Sequence, residues 1–304
     1  MDSSDVPLAE MGVPPDEYDG GYFLWHCEGS GEFLASRGQK LSARLRKALE
    51  LARILPGERV LDIGCGRGEL VAHSALRGAD AVGIDNSATA VRLAREALAE
   101  MPADVRGRAF FAIMDARRLS FPGASFDTAI MSDIVEHLYP RVLRQALDEA
   151  RRVLKPGGRL VVHTSPNALV YRVTYPAYVR HVHQAIRWLA ELARYESYFI
   201  GPTLPTEREY PRTDGEKRYH VNEQTAAGLA RRLRVRGFRV VKTEHWEVPH
   251  GIELWAPFIE KGSLLRHSIE LMCLDAVRYL RPFSYIRPLN ALFANHIWMV
   301  AKKI

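Results

Sequence analysis

Residues 59–70 read RVLDIGCGRGEL: an apolar run, an aspartate at 62, and glycines at 64, 66 and 68. The run reads as a strand, the glycines as a turn, and the residues from 68 to 77 as a helix. A Gly-x-Gly turn lets backbone approach a ligand closely, because no Cβ intervenes and positive φ is accessible. A dinucleotide fingerprint needs its third glycine three residues after the second, where helix packs on strand; here position 69 is Glu. A phosphate loop is excluded as well, since no Gly-Lys-Ser/Thr follows.

Outward from this turn, strand-like and helical stretches alternate. Strands are expected at 59–64, 81–85, 109–116, 126–133 and 159–164, and helices at 41–55, 68–77, 87–100 and 139–154. The turn KPGG at 155–158 ends one helix and launches the next strand. Such alternation implies a doubly wound α/β sheet with right-handed crossovers. The rhythm breaks at about 165–219, where one helix is expected at 181–195. It resumes with a helix at 222–236 and a strand at 238–245, then breaks again at about 246–291 before a last strand at 295–303. The chain thus divides into an N-terminal extension or lid, 1–40, and a core, 41–304, carrying two lid insertions. Both insertions leave the core after strand carboxyl ends, where open α/β sheets bind ligands.

Three acids follow the same logic. Asp62 precedes the glycine turn and suits a ligand ammonium; Asp85 ends the second strand, where a carboxylate can accept two ribose hydroxyls. Asp115 ends the third strand, where it can accept from an adenine amino group. Together they suit a cofactor with ammonium, ribose and adenine but no phosphate.

VLDIGCGRGEL, GIDNS, DARRLSFPGASFDTAIMSDIVEHL and EARRVLKPGGRLVV, read in that order, resemble the successive motifs of class I S-adenosylmethionine-dependent methyltransferases, over about 57–164. The resemblance implies a Rossmann-like seven-stranded sheet with an antiparallel last strand, HIWMVAKK fitting that place. It also implies S-adenosylmethionine as cofactor and S-adenosylhomocysteine as product. Carried over by position, Asp62, Gly64, Cys65, Gly66 and Gly68 hold the methionine part, Asp85 and Asn86 the ribose, and Asp115 and Ala116 the adenine. Ser132 lines the floor near the sulfonium.

Methyl transfer to a hydroxyl calls for a base. His137, after the fourth strand in SDIVEHL, is the first candidate, because imidazole titrates near neutrality; Asp133 and His220 are expected at the same crevice. A second option reads Asp133, Glu136, His137 and His220 as ligands for a divalent ion. That arrangement resembles the E-x-x-E-H of ubiquinone-pathway O-methyltransferases and of small-RNA 2′-O-methyltransferases, with Asp in place of the first Glu. Tyr22, Trp25 and His26 are expected as lid or acceptor-site residues.

Composition bounds the rest. With 304 residues, 47% of them hydrophobic, the chain can bury a large core. The opening MDSSDVPLAE does not read as a secretory signal and no run reaches transmembrane length, so a cytoplasmic protein is expected. Cys27, Cys65 and Cys273 are too few and too scattered for a disulfide framework or a zinc ribbon. The net charge of +6 could attract nucleic acid, but its arginines fall on helical faces and no RNA-binding module is visible. The expected reading is therefore a methyltransferase acting on a small-molecule acceptor, on oxygen, in secondary-metabolite or sugar biosynthesis. RNA methylation and a non-methylating S-adenosylmethionine-binding role are the alternatives. The stretch 255–280 could cover substrate, lie on a membrane surface, or pair two copies as a homodimer.

Overall fold

The computed structural model describes residues 13–192, 206–210, 212, 214–246 and 287–304. Seven strands form one sheet in the order β3-β2-β1-β4-β5-β7-β6. They are β1 (Arg59–Ile63), β2 (Asp80–Asp85), β3 (Ala109–Ile113), β4 (Phe126–Ser132), β5 (Leu154–Thr164), β6 (Phe238–Trp246) and β7 (His296–Lys303). The first five pair in parallel. The last in sequence is inserted between β5 and β6 and antiparallel, as the resemblance implies.

Both faces of β1 and β4 are covered, so these strands read as near-continuous apolar runs with almost every residue buried. The covering helices are amphipathic. In α1 (Ser30–Ser36), Phe33 is buried. Helix α2 (Ala43–Ala52) is capped by the Ser42 hydroxyl, which accepts from the Leu45 N–H, and buries Leu45, Ala48, Leu49 and Ala52. Helix α3 (Glu69–Ala75) follows the glycine turn, α4 (Ala88–Ala99) is capped by Ser87, and α5 (Pro140–Val153) starts on a proline, whose fixed φ suits a first turn. Strand order reverses between β1 and β4, and the crevice beyond their carboxyl ends is where such sheets take ligands.

The sequence expectations differ from the fold in detail. β5 starts at Leu154 rather than 159, so KPGG lies within it, with a register shift against Phe126–Thr128 of β4. The positive φ of Gly157, 74°, absorbs that irregularity. A short helix, Ala103–Arg106, was not expected.

Two compact units are present. The first is Met1–Ser165, Tyr219–Glu244 and Trp298–Ile304; the second is Pro166–Arg218 and His245–Ile297. In the second, a π-helical stretch Val170–Val179 containing Pro176 runs straight into α6 (Arg180–Leu192), where the sequence suggested only a helix at 181–195. Its two chain segments are tied by Asn167, whose amide donates to the carbonyls of Ala291 (2.9 Å) and Ala294 (3.1 Å), and by Thr174, which donates to Leu292. Tyr171 stacks on Tyr210 with centroids 4.5 Å apart. Most of the expected second insertion, including 255–280 and Cys273, lies outside the described residues. No described helix is long and apolar enough to cross a membrane. Helix α7 (Ala226–Arg234), shorter than the expected 222–236, belongs to the first unit.

Candidate active site

A cavity of about 340 Å³ opens at the carboxyl ends of β1, β2 and β4, within the first unit. It is lined by Asp62, Gly64, Cys65, Gly66, Asp85, Asn86, Asp115, Ala116, Ser132, Asp133, Glu136, His137 and His220. Sequence reasoning named all of these. Gly68, which it also named, is not in the lining. Its φ is 84°, and a Cβ there would lie 2.6 Å from Phe111 Cζ and 2.8 Å from the Ala94 methyl. Gly68 therefore lets α3 pack against β3 and α4.

Asp62 is 2% exposed, and its Oδ1 has no hydrogen-bond partner among the described residues. Burial and the neighbouring Asp85, Glu69 and Asp133 carboxylates push it up to about 8. An orphaned carboxylate oxygen in a cavity is costly unless a cation meets it, so Asp62 fits a ligand ammonium. Gly64 and Gly66, with φ of 77° and 51°, shape the adjacent backbone. A Cβ on Gly66 would have nothing nearer than Phe23, 3.8 Å away, leaving a cradle that only a side chain or a ligand would fill.

Asp85 accepts from the Gly66 N–H (3.0 Å) with one oxygen and from the Ser87 N–H (2.9 Å) with the other. Burial still outweighs those bonds and holds its carboxyl above the usual range. Asp115 is differently placed from what an open adenine acceptor requires. Arg117 engages both its oxygens, Nε at 3.1 and 2.9 Å and a terminal nitrogen at 2.6 Å. Burial opposes the charge, yet those bonds hold Asp115 below its ordinary value.

After β4 the backbone turns at Asp133, a non-glycine residue with φ of 55°. Its Oδ1 lies 2.9 Å from Arg44 and 2.8 Å from His163 Nδ1, and its Oδ2 accepts from Ser132 Oγ at 2.9 Å. Although buried, Asp133 is held far below the usual carboxylate range by Arg44, His163 and Ser132. Its expected catalytic role is thereby corrected: a carboxylate this fully engaged is a poor proton acceptor. Glu136 is 1% exposed, accepts from Thr164 Oγ1 (2.9 Å) and the Ser165 N–H (3.3 Å), and is raised to about 8 by burial and Asp133.

His137 is 9% exposed, and its ring sits 5.1 Å from that of His220. Burial and His220 lower it to about 3, which corrects the expectation of an imidazole titrating near neutrality. Among the described residues, Asp133, Glu136, His137 and His220 do not form a metal-ligating group. Asp133 and Glu136 turn their carboxylates to Arg44 and to Thr164 instead.

Several lining residues escaped sequence reasoning. Arg44 is 9% exposed, in α2; it pairs with Asp133 and with Glu28 (3.1 Å), and its Nε has no partner among the described residues. A charge beside the apolar stripe Leu45, Ala48, Leu49 and Ala52 was its signal in the sequence. It fits a ligand carboxylate. Arg67, between two glycines of the turn, donates to the carbonyls of Phe23 (2.9 Å) and Glu28 (3.1 Å), pairs with Glu69 (2.9 Å) and lies 4.7 Å over the Phe33 ring. It fastens the N-terminal segment over the glycine loop. That segment brings Tyr18, Tyr22 and His26 into the lining, whereas Trp25 is 69% exposed and outside it.

Residues 60–158 match the family model described as a methyltransferase domain. An uncharacterized 37.1 kDa protein in transposon TN4556 of Streptomyces fradiae is 34% identical over 167 residues, 49% of this chain and 46% of that protein. A ubiquinone biosynthesis O-methyltransferase of Brucella ovis is 32% identical over 156 residues, 51% of this chain and 59% of its own length. The chain thus spans about half the length of the curated relatives it matches. Among solved structures, the [4+2]-cyclase SpnF superposes with a TM-score of 0.55 at 18% identity, covering 96% of this chain and 98% of that one, which is a likeness of fold.

Proposed function

We propose, starting from a chain whose core is a class I S-adenosylmethionine-dependent methyltransferase domain, that it transfers a methyl group to a hydroxyl oxygen of a small molecule, with His137 as the acceptor-side base. The observation that supports this reading most is the juxtaposition in one cavity of the unpartnered Asp62 Oδ1 and the imidazoles of His137 and His220. The Brucella ovis relative, over its shared core, is itself named an O-methyltransferase.

Bound S-adenosylmethionine supplies an electrophilic methyl on a sulfonium. The chain's residues do the rest. Asp62 would hold the ammonium and Arg44 the carboxylate; Asp85 and Asn86 would take the ribose, and Asp115 with Ala116 the adenine edge. Gly64, Cys65, Gly66 and Ser132 shape the wall between. Proximity and alignment of this kind supply on the order of 7–11 kcal/mol in favourable cases. His137 need not be a strong base. An attacking hydroxyl becomes very acidic as its oxygen gains a third bond, so a neutral imidazole with a free lone pair is sufficient. Its lowered basicity keeps it neutral across the physiological range.

The test is incubation of the purified protein with S-adenosylmethionine and a panel of phenols, sugars, hydroxy acids, amines and short RNAs, with products identified by mass spectrometry. O-methylated small molecules are expected. Methylation confined to nitrogen, carbon or RNA overturns the reading.

A further inference from the structure

Tyr18 touches both halves of the site. Its carbonyl accepts from Ser87 Oγ at 3.0 Å, and the Ser87 N–H donates to Asp85 Oδ1 at 2.9 Å. Its phenol oxygen lies 3.4 Å from His137 Nδ1. The ring sits among others: Tyr22 at 4.9 Å edge-on, Tyr219 at 5.5 Å and His137 at 5.9 Å. Tyr219 in turn donates to the Glu17 carbonyl at 3.2 Å, beside Tyr18 in the chain. Burial and nearby carboxylates, Asp85 foremost, raise the phenol well above its ordinary value, so it stays protonated and donates where Nδ1 carries the ring's lone pair.

A neutral imidazole has one lone pair, and it cannot accept from two hydroxyls at once. We propose that Tyr18 is a specificity-determining residue: its phenol covers His137 Nδ1, and an acceptor hydroxyl must displace it to reach the base. The inference rests on the reading of His137 as that base. The contact is long, so displacement is cheap for a hydroxyl held in line by the rest of the cavity and unfavourable for water or a poorly held acceptor. The backbone of Tyr18 stays tied to Ser87 while its ring turns aside, so the donor half of the site is undisturbed. The other groups around His137 are His220, Asp133, Glu136, Tyr22 and Tyr219, and the backbone of Tyr219 is itself hydrogen-bonded to the imidazole.

Tyr18→Phe tests this, because it keeps the ring and the carbonyl and removes only the hydroxyl. With protein labelled with ¹⁵N-histidine, the His137 Nδ1 signal, assigned by its loss in His137→Gln, is expected to move toward that of an unbonded ring nitrogen. Tyr22→Phe leaves it in place. With the best acceptor from the panel, Tyr18→Phe is expected to lower KM about two- to tenfold, the range of one neutral hydrogen bond. Weak acceptors gain more than the best one, and the Kd for S-adenosylmethionine stays within about twofold. Ser87→Ala, which frees the carbonyl and leaves the phenol intact, shifts the same nitrogen signal in the same direction and guards against a folding failure of the first variant. An unchanged nitrogen signal and unchanged KM in both variants overturn the proposal. If His137→Gln itself turns over like the wild type, the base assignment fails instead.

Discussion

Arg44 of α2, buried, and Asp133, partly buried just beyond β4, face each other at 2.9 Å in a contact that fixes the turn where the cavity floor begins. Asp133 holds a left-handed backbone there, φ 55°, which costs on the order of 1–3 kcal/mol unless its surroundings over-determine it. Arg44, His163 and Ser132 supply that over-determination.

Arg44→Leu is accordingly expected to destabilise the fold by about 3–5 kcal/mol, since it leaves Asp133 and Glu28 without their cation. Urea denaturation reads the loss. Adding Asp133→Asn, which tolerates the left-handed turn and removes the stranded charge, should recover part of it. A loss below about 1 kcal/mol for the single variant would show the pair to be unimportant.

Asp62 and Glu136 both sit at about 8 in the folded chain, against ordinary values near 4. A raised carboxyl favours the folded state below its unfolded value, and that advantage is lost as pH climbs toward 8. The thermal midpoint of the protein without cofactor is therefore expected to fall between about pH 5 and 8. Asp62→Asn should flatten the fall. Asp133, shifted the opposite way, contributes only in strong acid and does not disturb this window.

Two glycines of one turn separate binding from stability. Gly68→Ala places a methyl 2.6 Å from Phe111 at φ 84°, and should cost about 1–3 kcal/mol in denaturation experiments. Gly66→Ala meets nothing closer than 3.8 Å but takes a left-handed φ of 51°, so it should cost only about 1 kcal/mol of stability, its larger effect falling on cofactor affinity. Equal effects of both on stability would contradict this division.

His137→Gln should lower kcat by about 10²–10⁴-fold, the usual contribution of a positioned acid or base, with cofactor affinity nearly unchanged. Comparable loss of cofactor binding would remove its assignment to the acceptor side.

Arg117→Ala should change stability by less than about 1 kcal/mol, because the Arg117–Asp115 pair is about 40% exposed on average and water screens it. With Asp115 released, cofactor affinity should hold or improve, whereas Asp115→Ala weakens it. Weaker binding in Arg117→Ala, measured by calorimetry, would place Arg117 itself among the binding groups.

The sheet and the donor side were legible because each rests on local signals. Apolar runs, glycines and strand-end acids lie within a few residues of one another, and the turn RVLDIGCGRGEL fixes where they converge. What stayed hidden depends on distance along the chain. Arg44 and His163 reach Asp133 from 89 and 30 residues away in sequence, and Tyr18 reaches His137 across 119. No spacing rule announces such meetings. The same limit explains why His137 was read with an ordinary basicity: its burial is a property of the packed cavity, which the segment SDIVEHL alone does not carry.

The most direct test is a calorimetric titration of S-adenosylmethionine into the wild type and Asp62→Asn, at pH 6.5 in buffers of different ionisation heat. The expected result is one site per chain, proton release on binding in the wild type, and a roughly ten- to hundredfold weaker, proton-neutral interaction in the variant, as befits one charge-assisted hydrogen bond. Equal affinity of the two proteins, or no binding by the wild type, would contradict it.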